Sequence, residues 1–417
     1  MYQDNNLANQ IEKQHPAGLV EFLQTAGLVA ASQGQSLHLV GGGVRDLLLE
    51  RGTFDLDLVA GSNAINLAQQ LADITGAKVT THSSFLTANL KWDKWDIDIV
   101  TARSEIYARP GALPTVKPGS LEIDLFRRDF TINTMAIELV PDRWGEITDF
   151  YGGRDDLQKG WIRVLHEGSF IDDATRIWRA LRYEQRLGFK LEPKTLWLLK
   201  RDTPMLETVS SDRIRHELEL SLKEELPERV IYRAEKLKVL PELHPGLKGD
   251  GWLNRKFREA RKRSSPEKPT VELYLALLAY RLTADETEKL ISQLRLRKTH
   301  SLTLREGGHL KAGLERWADT AVAPSQIHSL LQGCRLPTIT AAYLASDSKV
   351  SRRHINRFLT KLRYVKTSLS GKDLQKMGIP TGPQMKEILQ KLLEARLDGR
   401  VKSKNGEREM VEGYSTE

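Results

Sequence analysis

The sequence predicts an α+β chain, with a mixed α/β head of about 130 residues followed by an all-α remainder. Three observations predict it. Short apolar or alternating runs separated by turn residues fill the first part of the chain. From about residue 157 onward, nearly every segment spaces its apolar residues at the helical period. Charge also changes sign between the two parts, with 14 Lys/Arg against 21 Asp/Glu in residues 1–160 and 49 against 34 in residues 161–417. An acidic front part suits a cation site, and a strongly basic remainder suits a polyanion such as nucleic acid.

Composition narrows the classes further. A length of 417 residues exceeds one ordinary core and predicts two to four domains. The single cysteine, Cys334, excludes an intrachain disulfide framework and a Cys-rich zinc module, and reads as a small buried apolar residue. No run approaches the roughly 18 apolar residues of a membrane span. The start "MYQDNNLANQIEKQHPAG" lacks a basic-then-apolar signal, so the expected location is cytoplasmic, with no membrane partner.

Taken in order, residues 1–30 read as a helical lead-in. Residues 36–42 and 55–60 read as apolar strands, and between them "VRDLLLERG" reads as a helical turn or two closed by Gly52. "NAINLAQQLADITG" (63–76) has helical spacing and a terminal glycine, whereas "AKVTTH", "FLTANLKW" and "WDIDIVTA" alternate or carry β-branched residues as strands do. "RPGALPTVKPGS" (109–120) is rich in Pro and Gly and predicts a mobile loop. "MAIELV" and "WGEITDFYGG" predict one more hairpin before the helices begin. Within the helical part, "RKFREARKRSSPEKPT" (255–270) reads as a basic connector and hinge.

Two stretches carry chemistry. In "GTFDLDLV", Asp55 and Asp57 alternate with Phe54, Leu56 and Leu58, so both carboxylates leave one face of a strand while the leucines enter the core. Adjacent carboxylates repel unless a cation lies between them, and a hard divalent ion with oxygen ligands is the usual solution. Phosphoryl-transfer sites hold two such ions roughly 4 Å apart. Gly41, Gly42 and Gly43 precede a helix and leave backbone N–H groups open to a phosphate, and Arg45 adds a positive charge one turn on. The glycines match neither the dinucleotide fingerprint nor a Walker loop. For a third metal ligand, "WDKWDIDIVTAR" offers Asp96 and Asp98. Asp98, set among Ile97, Ile99 and Val100, is the better placed, although the stretch also reads as a hairpin rim.

The second stretch is "FIDDATRIWRALRYEQRLGF" (170–189), in which Asp173, Arg176, Arg179 and Arg182 recur every three residues on a helix. Such a row of arginines suits a polyanionic ligand such as a triphosphate. Asp173 beside Arg176 also has a reading role. Cytosine and adenine each present an amino donor next to a ring-nitrogen acceptor, so a carboxylate with a guanidinium accepts C or A and rejects U and G.

With "GGGVRDLLL", "DLDLV", "RRDFTINTMAI", "FYGGRDDLQKGWIRVLHEGSFIDDATRIWRALRYEQRLGF" and "SSDRIRHELE", the chain resembles the class II tRNA nucleotidyltransferase and bacterial poly(A) polymerase family over about residues 36–220. That family lies within the polymerase-β-like nucleotidyltransferase superfamily. "GKDLQKMGIPTGPQMKEILQKLLEARLDG" (371–399) is similar to its C-terminal region. The resemblance implies a head at 31–155, a nucleotide-recognising neck at 156–222, a helical body at 223–345 and an RNA-gripping tail at 346–417. It implies Mg2+ on Asp55 and Asp57, and the strand reading above adds Asp98 as the candidate third ligand. Gly42 and Arg45 would meet the nucleotide, and Asp173 with Arg176 would read the base. Arg128, Arg179 and Arg182 would contact phosphates or sugar, with Arg127 next to Arg128 in that role, while Asp129 and Asn133 would hold the head–neck junction or the ribose. The implied partners are tRNA, CTP and ATP, with no stable protein partner.

The implied reaction adds C, A or both to a tRNA 3′ end with release of pyrophosphate. The alternatives are A-tailing of RNA ends generally and non-catalytic RNA binding by the basic helical part. The sequence departs from the family pattern at Asp172, where Glu is frequent, at Thr134, where Ala is usual, and in the loop 105–124, the family's mobile element linked to switching from C to A.

Overall fold

The computed structural model describes residues 5–52, 56–106, 111, 115–316 and 322–414. Helices α1 (Ala8–Gln14) and α2 (Ala17–Ser32) precede β1 (Leu37–Val40), α3 (Gly42–Leu48), β2 (Leu56–Ala60) and α4 (Ala64–Thr75). Then come β3 (Lys78–His82), β4 (Thr87–Trp92), β5 (Trp95–Thr101), β6 (Arg103–Ile106), β7 (Thr115–Pro118), α5 (Leu121–Phe126), β8 (Ala136–Glu138) and β9 (Ile147–Thr148). Among the described residues these strands give a seven-stranded sheet in the order β3-β4-β5-β2-β1-β8-β9. β2 and β5 run parallel, and the other neighbours in this sheet run antiparallel.

Alternation sets which face of the sheet is buried. In β5, Trp95, Ile97, Ile99 and Thr101 are buried while Asp96 and Asp98 are exposed, as a period of two requires. Helix α4 packs against β4 and β5 through the buried Ala64, Leu67, Ala68 and Leu71. It starts on Asn63, whose side chain accepts from Asn66 N at 3.0 Å, and stops at Gly76, which takes the left-handed conformation at φ 71°. With one face closed in this way, the carboxylates are left on the other.

Three expectations are corrected. Helix α3 stops at Leu48, where Glu50 takes φ 53°, so Gly52 is not its terminator. The stretch 109–120 is not loop throughout, because β7 pairs antiparallel with β6, from Arg103↔Pro118 to Ile106↔Thr115. Pro118 is tolerated there because it ends a two-stranded ribbon, where a missing N–H costs least. Residues 109–110 and 112–114 lie outside the described ones. The basic stretch 255–270 is helical as far as Ser264, within the helix Gly251–Ser264. Phe257 and Ala260 bury one side of that helix, so any break is confined to the residues after it.

Beyond the sheet lie α6 (Gly153–Lys159), β10 (Trp161–Ile162), α7 (Ser169–Asp172), α8 (Thr175–Leu187), β11 (Lys190–Leu191), α9 (Pro193–Asp202) and α10 (Ser211–Leu222). β10 and β11 form a short parallel pair, two residues on each side and too brief for a periodic signal. Helix α8 buries Trp178 completely, packs against α7 and α10, and ends at Gly188 with φ 73°.

The chain divides into two compact units. The first runs to Leu226 and takes back Leu237–Glu242, and the second holds Pro227–Lys236 and Leu243 onward. The second is built from helices, and its apolar clusters include one with Leu310, Ile327, Ile355 and Leu397 and another with Leu369, Leu374, Ile388 and Leu392. Cys334 is half-buried against the first cluster rather than enclosed, and burial pushes its thiol pKa up. Among the described residues, no helix is long and apolar enough to cross a membrane.

Candidate active site

The sheet places Asp57 and Asp98 side by side. Their Cα positions are partners in the parallel pairing of β2 with β5, and both side chains line one cleft of about 900 Å3. Asn89, opposite Asp98 on β4, donates Nδ2 to Asp98 Oδ1 at 2.9 Å. It also donates to Asp96, which does not line the cleft. Asp55 lies outside the described residues. Among those described, no group of three His, Cys, Asp or Glu is arranged to hold a metal ion.

On the other side of Asp57, Val40 ends β1 opposite it, and Gly41 makes the turn into α3 at φ 74°. Glycine is required there twice over. The left-handed backbone disfavours a side chain, and a Cβ would sit 3.0 Å from Arg128 Nη1 and 3.1 Å from Asp57 Oδ2. The bare backbone is what lets a cation and an anion both approach the turn this closely. Gly41 and Gly42 both line the cleft.

A group of arginines forms the rest of the wall. Ser120 caps α5 by accepting from Ile123 N at 3.3 Å, and the chain leaves that helix as Arg127, Arg128 and Asp129, all cleft-lining. Arg179 on α8 donates to Asp129 Oδ2 from Nη2 at 2.6 Å and from Nε at 2.8 Å. Asn133 donates to Asp129 Oδ1 at 2.9 Å. Burial alone would raise the Asp129 carboxyl, but the Arg179 charge and the Asn133 and Arg179 hydrogen bonds override it and hold its pKa at about 2. The Asp129 charge in turn raises the Arg179 pKa.

Asp173 and Arg176 both line the cleft, but they are not each other's partners. Asp173 Oδ2 accepts from Arg213 Nη2 at 2.7 Å, and its Oδ1 accepts from Thr175 N at 3.0 Å and Thr175 Oγ1 at 2.7 Å. Arg176 donates to Ser169 Oγ at 2.7 Å and to Arg127 O at 2.6 Å, which ties α8 to the end of α5.

Arg45 and Arg182 stand outside the cleft lining. Arg45 is buried, doubly hydrogen-bonded to Asp46 at 2.8 Å and donating to Asn133 Oδ1 at 2.7 Å. Through Asn133 it braces Asp129. Arg182 is buried against Glu217 at 3.1 Å and Glu224 at 3.8 Å. A step of three residues turns a helix side chain by about 60° backward, so Arg182 points about 120° away from Arg176. The arginine row therefore splits into a cleft-facing pair and an inward member.

Other lining residues had not been singled out. Arg213, His216 and Glu217 come from α10, and Arg103 and Glu105 from β6. The α10 group was visible as the spacing of "SSDRIRHELE", where positions three and four apart share a face. Nothing local marked Arg103 and Glu105. Tyr183 also lines the cleft, with Arg45, Arg179, Arg182 and Arg186 each within 5.7 Å of its ring centre.

Comparison with known proteins gives matches of the same kind. Residues 37–163 match a family model described as the poly A polymerase head domain, and residues 188–250 one described as a probable RNA and SrmB-binding site of polymerase A. The A-adding tRNA nucleotidyltransferase of Geobacter sulfurreducens is 34% identical over 94% of this chain and 46% of its own length. The chain thus spans about half the length of the curated relatives it matches first. The apo form of a CCA-adding enzyme is 30% identical, with a TM-score of 0.82 over 98% of this chain and 99% of that one. The Thermotoga maritima CCA-adding enzyme complexed with tRNA is 29% identical, with a TM-score of 0.77 over 98% of each chain.

Proposed function

The chain belongs to the class II tRNA nucleotidyltransferase and bacterial poly(A) polymerase family, and on that premise we propose that it transfers CMP or AMP from CTP or ATP to the 3′ end of tRNA and releases pyrophosphate. The observation that supports this is one cleft holding Asp57 and Asp98 at paired strand positions together with Arg127, Arg128, Arg176 and Arg179. Acids for a cation and bases for a polyanion share the same space.

In this reading the RNA 3′-oxygen attacks the α-phosphorus, a new P–O bond forms, and the bond to the β-phosphate oxygen breaks. The hydroxyl proton passes to solvent and pyrophosphate leaves with the negative charge. The protein contributes positioning and charge neutralisation. Asp57 and Asp98, with Asp55 from the same strand sequence, would hold Mg2+, since adjacent carboxylate oxygens suit a hard divalent ion and repel one another without it. When bound, such an ion lowers the pKa of the attacking hydroxyl and offsets phosphate charge. Arg127, Arg128 and Arg179 meet the triphosphate, and Asp173 with Arg176 reads the base. Each keeps capacity for this, because a carboxylate has about four acceptor sites and a guanidinium five donors. The basic second unit grips the RNA, and a cytoplasmic location is part of this reading.

The match to a poly A polymerase head favours a second reading, A tails on RNA ends generally. Incorporation of labelled CTP and ATP on tRNA transcripts ending before CCA, after C and after CC separates the products. A CCA-adding enzyme completes all three, an A-adding enzyme extends only the last, and a CC-adding enzyme extends the first two. Long A tails on unrelated RNA select the second reading, and no incorporation on any substrate rejects both.

A further inference from the structure

Asp124 is wholly buried and does not line the cleft, yet it touches two residues that do. Its Oδ1 accepts from Arg127 Nη2 at 2.6 Å and Arg127 Nε at 3.0 Å, and its Oδ2 accepts from Arg128 Nη2 at 3.2 Å. These are the i,i+3 and i,i+4 relationships from α5. Arg127 is held from a second side by Glu105 on β6, at 2.8 Å from Nη1, and Glu105 also takes Arg103 at 3.3 Å. Three guanidiniums thus share two carboxylates.

The arrangement has a geometric consequence. Arg127 and Arg128 are adjacent in sequence and carry like charges that repel, so without an anion between them they would swing apart and outward. A carboxylate sealed from water gives each a charge-assisted hydrogen bond in a fixed direction. Arg128 Nη1 is thereby held against the Gly41 turn, where Asp57 Oδ2 also approaches. A buried carboxylate is costly to desolvate unless paired, and here the two cleft arginines supply the pairing.

We propose that Asp124 is a positioning residue of the nucleotide site, presenting Arg127 and Arg128 as a rigid pair to the triphosphate, with Glu105 completing the hold on Arg127. It rests on the nucleotidyl-transfer reading for the identity of the ligand, a nucleoside triphosphate. It concerns how the anion is held, not which base is chosen.

The test uses the full chain and two probes, inorganic tripolyphosphate without metal and, as the control lacking phosphate, cytidine. Asp124→Asn should weaken tripolyphosphate binding by roughly tenfold and Glu105→Gln by roughly threefold, as loss of charge-assisted hydrogen bonds implies. Cytidine affinity should not change. In turnover, KM for CTP or ATP should rise more than kcat falls. Added to an Arg127→Ala/Arg128→Ala double variant, Asp124→Asn should cause no further loss of tripolyphosphate binding, whereas a merely structural role would still show one. Unchanged tripolyphosphate affinity in folded Asp124→Asn overturns the proposal, as does an equal loss of cytidine binding. Should Asp124→Asn fail to fold by thermal melting, Glu105→Gln decides the matter alone, with unchanged tripolyphosphate affinity counting against the proposal. A wild-type chain that incorporates no nucleotide, with the variants still showing the tripolyphosphate losses, rejects the transfer reading and leaves the positioning role standing.

Discussion

Asp173 forms its ion pair with Arg213 on α10, Oδ2 to Nη2 at 2.7 Å, across 40 residues of sequence. Asp173 lies in the extended link between α7 and α8, not on the arginine helix as its spacing suggested, and the carboxylate expected to read the incoming base is aimed by a residue of a third helix. Arg213 is itself about a third exposed, so it can be removed without opening the core.

From this follows a first prediction. Arg213→Ala should lower the preference for C and A over U and G by roughly tenfold while the chain stays folded, because an unanchored carboxylate discriminates less sharply. Competition among the four nucleoside triphosphates on one tRNA transcript measures it. Equal selectivity before and after substitution would mean that Asp173 is oriented by Thr175 alone.

The two strand carboxylates are predicted to differ from their neighbour. Asp57→Ala should reduce incorporation by at least about a thousandfold, and Asp98→Ala by roughly ten- to a hundredfold, as removal of charge-stabilising groups does. Asp96→Ala, outside the cleft lining, should retain near wild-type turnover. Single-turnover incorporation with separately measured tRNA binding checks all three, and tRNA affinity should stay within a few-fold throughout.

Gly41 offers a test of close approach. Gly41→Ala should destabilise the fold by about 1–2 kcal/mol from the left-handed backbone alone. It should also weaken nucleotide binding, because the new methyl group would press on Arg128 and Asp57. Urea melts and nucleotide titrations report the two effects separately. Gly52→Ala, which meets no neighbouring atom, serves as the control.

Asp129 gives a pH dependence with a definite sign. Its folded pKa, about 2, lies below the ordinary value of 3.8, so the charged form stabilises the fold above pH 4 and this contribution is lost as the pH falls through about 2. Its size is on the order of 2 kcal/mol. Asp129→Asn should therefore be less stable than wild type at pH 7, and the gap should shrink as urea melts are repeated from pH 4 downward. A gap constant over that range would show that the Arg179 pairing contributes nothing through charge.

RNA binding by the basic part of the chain should be steeply salt-dependent. Between 50 and 200 mM salt, affinity for tRNA should fall by on the order of a hundredfold or more if several Lys/Arg–phosphate contacts release counterions. A flat salt profile would count against a phosphate-gripping role for the helices after residue 226.

Legibility in the sequence followed a physical boundary. The outward Asp96 and Asp98 against inward Ile97 and Ile99, the helix behind "NAINLAQQLADITG" and the glycine turn before α3 were readable, because alternation and helical period are imposed by backbone geometry within a few residues. The arginine row was readable as a row but not as a wall. Its apparent lack of acids was an artefact of looking along one helix, since Asp129 comes from 50 residues before Arg179 and Glu217 from 35 residues after Arg182. Arg45 shows the same limit of local reading. It stands one turn from the glycines, yet its charge is spent on Asp46 and on Asn133, 88 residues away.

By itself, the sequence determined the kind of chain this is: a sheet-bearing acidic head, a basic helical remainder, and the acids and arginines that a cation and a polyanion would need. Tertiary structure alone decided which of those groups meet. It set Asp57 beside Asp98 through the β2–β5 pairing, gave Asp173 to Arg213, turned Arg182 inward and hid Asp124 behind the cleft arginines. The reason is that local periodicity fixes only the face a side chain leaves from, while its partner depends on how distant segments close against one another.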